Sequence, residues 1–118
     1  MSLAWLSKLY GRWTKRKGDD VKPTTFQDAF DEVAADLRKL MVGKQRDYGH
    51  DNITAFGEMG VLVRTNDKMC RLRNLLTTGE EPNFEAIEDS WMDMANYAII
   101  ALMLRRGTFT LPLEDEVW

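Results

Sequence analysis

Cysteine is nearly missing from this chain of 118 residues, which carries only Cys70. No intrachain disulfide and no cysteine-based zinc cluster can form, which fits a reducing cytoplasm. Cys70 itself is expected to be a small buried packing residue. Histidine is down to one, His50, a turn residue better suited to hydrogen bonding than to acting as a catalytic base. Long hydrophobic runs are lacking as well. None reaches the roughly 18 to 20 apolar residues that a bilayer span needs, and the N-terminus shows basic residues after its apolar positions, not a signal-peptide cleavage pattern. The chain therefore reads as cytoplasmic, with no membrane role expected. Nor is there a large net charge: a balance of -3 with 30% charged residues argues against general nucleic-acid binding through the whole surface. Length and a 44% hydrophobic share supply one domain with one core, short enough for a site to need a second subunit.

What is present is helical. "LAWLSKLYGRWTKRK" sets Trp5, Leu6, Leu9, Tyr10 and Trp13 at helical spacing among basic residues. Residues 1–22 thus read as a basic amphipathic helix and linker, which either docks its aromatic face on protein or lies on an anionic membrane. From Phe26 to Lys44, apolar residues recur at i, i+3, i+4 and i+7, with Pro23 and a threonine cap ahead of them. "DYGHDNITAFGEMG" reads as a structured connection, where Gly49 suits a left-handed turn and Gly57 and Gly60 permit close backbone approach. A further helix is expected over Val61–Leu76, with Val61, Met69, Leu72 and Leu76 on its apolar side. The last is expected from Phe84 to Arg106, with Asn83 as cap and Gly107 as stop. No alternating pattern is long enough for a sheet. The expected architecture is all-α: three core helices plus the N-terminal one, a small bundle over residues 23–107 completed by homo-oligomerisation, followed by an acidic tail, 108–118.

Three constellations carry chemistry. Glu85, Asp89 and Asp93 stand four residues apart and Asn96 three further on, forming one stripe on a helix face. The stripe continues into Ile100 and Met103, so other protein covers it as it goes. A carboxylate under cover must meet a cation. Arg64, Lys68 and Arg71, at i, i+4 and i+7, could pair with it as an interhelical ion network. Alternatively, Asp89 and Asp93 with Glu85 or Asp67 could hold Mg²⁺ through oxygen ligands. Spacing leaves both open. In "KQRDYGHDN", counting about 100° per residue from Phe26 puts Lys44 and Tyr48 on the apolar face. An inward lysine needs an anion: Lys44 either snorkels at a helix end or contacts phosphate, with Tyr48 offering its ring to a base and Asp47 orienting one of them. There is no Gly-rich phosphate loop, zinc spacing or serine nucleophile elbow.

In order, "KQRDYG", "NITAFGEMGVLVRTNDKMCRLRNL" and "EAIEDSWMDMANYA" resemble the small phage and bacterial family called nucleotide modification associated domain 1, over about residues 26–106. The resemblance marks Lys44, Asp47, Tyr48 and Gly49 in K-x-x-D-Y-G. It marks Arg64, Asp67, Lys68, Arg71 and Asn74 in the second motif, and Glu85, Asp89, Asp93, Asn96 and Tyr97 in the third. That family looks distantly related to the all-α nucleoside triphosphate pyrophosphatases, the MazG and dimeric dUTPase group, which bind Mg²⁺ through acids on two helices and cleave between the α and β phosphates. The resemblance thus implies a Mg²⁺-dependent (deoxy)nucleoside triphosphate pyrophosphohydrolase of phage nucleotide metabolism or DNA base modification. Asp89 and Asp93, helped by Glu85 or Asp67, would hold the metal, and Lys44, Arg64, Lys68 and Arg71 would neutralise phosphate charge, with Lys68 counted among the catalytic residues. Tyr48 and Asn96 would take the base or sugar. The E-x-x-E and E-x-x-D helices of the pyrophosphatases are not found at their expected places, which leaves two other readings open: a nucleotide-binding or adaptor protein without catalysis, and a purely structural helical assembly.

Overall fold

The computed structural model describes residues 22–115. The expected N-terminal helix and the last acid of the tail, Glu116, lie outside them. Thr25 opens the first described helix: its backbone is extended and its hydroxyl accepts the Asp28 amide at 3.1 Å, satisfying one of the N–H groups a helix start leaves free. Helix α1 (Phe26–Tyr48) then continues a full turn past Lys44. It stops where Gly49 takes a positive φ of 66°, a region costly for any residue with a Cβ.

The connection that follows is more helical than its sequence suggests. It contains a one-turn helix, α2 (Asp51–Thr54), and α3 (Gly57–Thr78) begins four residues before Val61. The close approach expected at Gly60 is present, since a Cβ there would lie 2.6 Å from that of Phe56. Helix α4 (Ile87–Arg106) starts later than Phe84, and Asn83 does not cap it. The carboxylate of Asp89 does so by accepting the Ala86 amide at 3.0 Å. Gly107 ends it as expected, its N–H donating to the Leu104 carbonyl at 3.1 Å. Among the described residues there is no strand, and the fold is all-α. No described helix is long and apolar enough to cross a membrane.

The main core gathers Ile53 of α2, Val61 of α3, Ile100 of α4 and Phe109, with Met41 of α1 packed against it. Phe109 belongs to the stretch after Gly107, which turns back and closes the core. Beyond it Asp115 meets Arg46 at 2.7 Å, and Arg46 holds the Asp115 carboxyl below the usual carboxylate range. Both partners are exposed, so this contact adds little stability. Three expectations are corrected. Cys70 is exposed, because α3 turns Val61, Thr65, Lys68 and Leu72 inward, and position 70 falls about 200° from its neighbours two away. Met69, about 100° round the helix from Lys68, is exposed as well. Third, α1 buries no residue fully, and its stripe of Phe26, Phe30 and Val33 stands open, because only its C-terminal half reaches the core.

Two phenylalanines of equal size test this description, since Phe109 is 5% exposed and Phe84 is 93% exposed. In urea unfolding, Phe109→Ala is expected to cost about 3 to 5 kcal/mol, whereas Phe84→Ala stays within about 0.5 kcal/mol of the parent. Equal effects would contradict the placement of Phe109.

Candidate functional site

The site begins with a buried carboxylate. Asp93, 7% exposed, lies on the inner face of α4 and presents one oxygen to each of two ammonium groups: Lys44 Nζ at 2.9 Å and Lys68 Nζ at 3.0 Å. A single carboxylate thereby ties α1, α3 and α4 together. Lys68 also reaches Glu85 at 3.3 Å. Partial burial by itself would pull the Lys68 ammonium down, but the hydrogen bonds and charges of Asp93 and then Glu85 outweigh it and hold the group above its ordinary value. Lys68 is therefore charged throughout the neutral range.

Two more bases of α3, Arg71 and Arg64, are engaged by groups in and beside α4 and by α2. Arg71 donates to Ser90 Oγ at 2.6 Å and to the Glu85 carbonyl, fixing the approach to α4. Arg64 donates to the Asn52 carbonyl at 3.3 Å. Lys44, Arg64, Lys68 and Arg71 stand against only Asp93 and Glu85 in these contacts, so the locality is net positive.

Beside the bridge is a cleft of about 150 Å³, walled by Lys44, Tyr48, Asn52, Arg64, Asp93 and Asn96. Tyr97, Ile100 and Phe109 back it with apolar surface. Drug-sized ligands occupy roughly 300 to 1,000 Å³. This cleft therefore has room for one small ring or one compact anion. Asn96 is 6% exposed; its Nδ2 donates to the Leu37 carbonyl at 3.2 Å, and its Oδ1 accepts from no protein donor. Asn52 Oδ1 is in the same condition. A larger groove of about 480 Å³ runs on the other side of Tyr97, between α3 and α4. It is lined chiefly by apolar residues such as Met59, Leu62 and Met94 and contains no buried unpaired polar atom, its Glu58 and Arg105 pairing with each other at 2.9 Å.

Lys44, Tyr48, Arg64, Asp93 and Asn96 thus come together, although up to 52 residues separate Lys44 from Asn96 in the chain (96 minus 44). Lys68 and Arg71 join them through the ion network. Asp47 is exposed and outside the cleft, as is Asp67 on the outer side of α3. The expected acidic set does not converge. Asp89 is occupied in capping α4, Glu85 precedes that helix and is exposed, and both oxygens of Asp93 face lysines. Among the described residues no three acids, histidines or cysteines are placed to hold a metal ion. Reasoning from sequence missed Asn52, which reads as a turn residue, and Ser90, fully buried beneath Arg71. It also missed Glu88, a 4% exposed acid in the first turn of α4 whose oxygens accept no hydrogen bond. The helix dipole favours an acid there.

No curated protein and no solved structure matches the chain. A family model does, over residues 44–104, a span that starts at Lys44 and includes Asn52, Lys68, Asp93 and Asn96. By that match the chain belongs to the nucleotide modification associated domain 1 family.

Proposed function

We propose that the chain handles (deoxy)nucleoside triphosphates by binding them at this cleft, with the phosphates on Lys44, Lys68 and Arg64 and the base or sugar against Tyr48 and Asn96. The observation that carries this is the cleft itself, which sets a net-positive rim beside buried acceptors and aromatic rings. Asp93 serves as a built-in anion: each of its two oxygens keeps one ammonium group within 3.0 Å until phosphate oxygens share them. Charge-assisted bonds of this kind are among the strongest a protein makes.

The finer reading, a pyrophosphohydrolase of phage nucleotide metabolism, needs a divalent cation to activate water. No hydrolytic step is derived from the acids as they stand; Mg²⁺ would arrive as the counterion of the triphosphate. The family membership supports a nucleotide as ligand, and the paired state of Asp93 favours binding over catalysis. The proposal extends to assembly: a second copy covers the open α1 stripe of Phe26, Phe30 and Val33, since so long an apolar face is an association surface. Replacing Phe26 and Phe30 by serine should then lower the light-scattering mass; an unchanged mass would remove the assembly part alone.

Calorimetric titration with nucleoside triphosphates tests the main reading. Lys44→Ala and Lys68→Ala should each weaken binding about tenfold, with Asp67→Asn close to the parent; no heat of binding with any triphosphate would end the proposal. A parallel incubation with Mg²⁺ or EDTA, resolved by chromatography, decides on turnover: monophosphate and pyrophosphate formed only with metal would establish the hydrolase.

Asp93→Asn should lower stability by about 2 kcal/mol, below the usual 3 to 5 for a broken buried pair because Lys44 is half exposed. Inorganic pyrophosphate should stabilise that variant more than the parent, by replacing the lost anion. No response to pyrophosphate in either would contradict an anion site.

The pH dependence follows from Lys68. Its value in the fold lies above the unfolded one, so its stabilising contribution is complete below the ordinary lysine value of 10.5 and is lost as pH rises through the higher folded value. Stability measured against pH should show no loss from Lys68 between neutrality and that point, and Lys68→Met should remove the alkaline step.

A further inference from the structure

Resting on the nucleotide reading above, we infer that the cleft selects bases carrying an exocyclic amino group over those carrying a carbonyl at the same place. The cleft is lined by two asparagines, Asn52 and Asn96, whose Oδ1 atoms are both buried and both without a protein donor. Buried acceptors are normally paired, so two together in one small cleft amount to a stated requirement for donors. Asn96 cannot meet a base in the two-way manner of an asparagine reading adenine, because its Nδ2 is committed to the Leu37 carbonyl at 3.2 Å. It offers acceptance only. Asn52 is held by its backbone, whose carbonyl takes Arg64 at 3.3 Å, and its side-chain oxygen stays available.

An exocyclic amino group brings two N–H bonds on one nitrogen, one for each oxygen. Cytosine and adenine carry such a group where uracil and hypoxanthine carry a carbonyl oxygen. That oxygen would face two acceptors, leaving all three without hydrogens. The aromatic surroundings suit the ring of a base: Tyr97 and Phe109 form the back of the cleft, and Tyr48, 66% exposed, stands at its mouth. The volume, about 150 Å³, leaves the sugar and phosphates outside, toward Lys44 and Arg64.

The test is calorimetric titration of the full chain, in EDTA, with dCTP, dUTP, dATP and dITP. The amino-bearing members should bind at least about tenfold tighter than their carbonyl counterparts, as expected where a site's polar groups lose their partners. In Asn52→Ala, which keeps the backbone carbonyl that holds Arg64, the ratio of dCTP to dUTP affinity should fall toward one. Equal affinity for dCTP and dUTP, with binding still weakened by Lys44→Ala, would overturn the base preference and leave the nucleotide reading standing. A preference that follows the 2′-hydroxyl, seen by comparing CTP with dCTP, and not the amino group, would also overturn it by assigning the acceptors to the sugar. Absence of binding by all four would remove both readings together.

Discussion

The Asp93 carboxylate governs this structure. An ionised acid at 7% exposure loses most of its hydration, a cost of several kcal/mol that a single surface lysine does not offset. Two lysines do so jointly, and they come from different helices. Lys44 must therefore approach α4 from α1, and Lys68 from α3, and the cleft is the space left between helices whose spacing these bonds set. Asp93 and Glu85 balance the two lysines, and the basic surplus is carried by Arg64 and Arg71, which donate to uncharged oxygens close to a wall with unfilled acceptors.

Glu85, Asp89 and Asp93 are evenly spaced in the sequence but serve three purposes in the fold. Only Asp89 and Asp93 lie on α4, so the even spacing does not give one continuous stripe. At the start, Glu85 precedes the helix and meets Lys68 at the surface; one turn on, Asp89 is drawn back to its own helix start; at the next, Asp93 is under cover. Acids four apart on a helix are close enough to share one ion, but Asp89 turns back to the Ala86 amide and both oxygens of Asp93 meet lysines. The inward side of α3 offers bases instead, and its Asp67 faces out.

Much of this was legible in the sequence, for identifiable reasons. The all-α class followed from apolar periodicity, and the inward direction of Lys44 from counting along α1, because a regular helix carries phase faithfully over five turns. That Asp93 must face a cation followed from its place between polar and apolar parts of one stripe, although spacing alone left metal and lysine open. What failed depended on information that is not local. Met69 and Cys70 were assigned to the wrong side of α3 because an amphipathic helix with inward Thr65 and Lys68 does not announce its buried face by hydrophobicity. Phe109 sits beyond a clear helix stop, where nothing in the sequence shows that the chain turns back. Asn52 belongs to a stretch of turn-forming residues, and only the fold of α2 brings it to the same cleft as Asn96.

The state of Asp93 also bears on how such a site could release what it binds. A phosphate oxygen entering between Lys44 and Lys68 does not meet empty cations; it competes with a carboxylate already at 2.9 and 3.0 Å. Binding would then be an exchange of one anion for another, with an affinity set by the difference between two strong interactions and not by the full strength of either. A triphosphate carries more charge than one carboxylate and can reach Arg64 as well, which favours capture. A single phosphate gains less over Asp93. On the proposed reading, the internal carboxylate would tune the site toward ligands with several phosphates and ease departure of those with one, with no moving part beyond two lysine side chains.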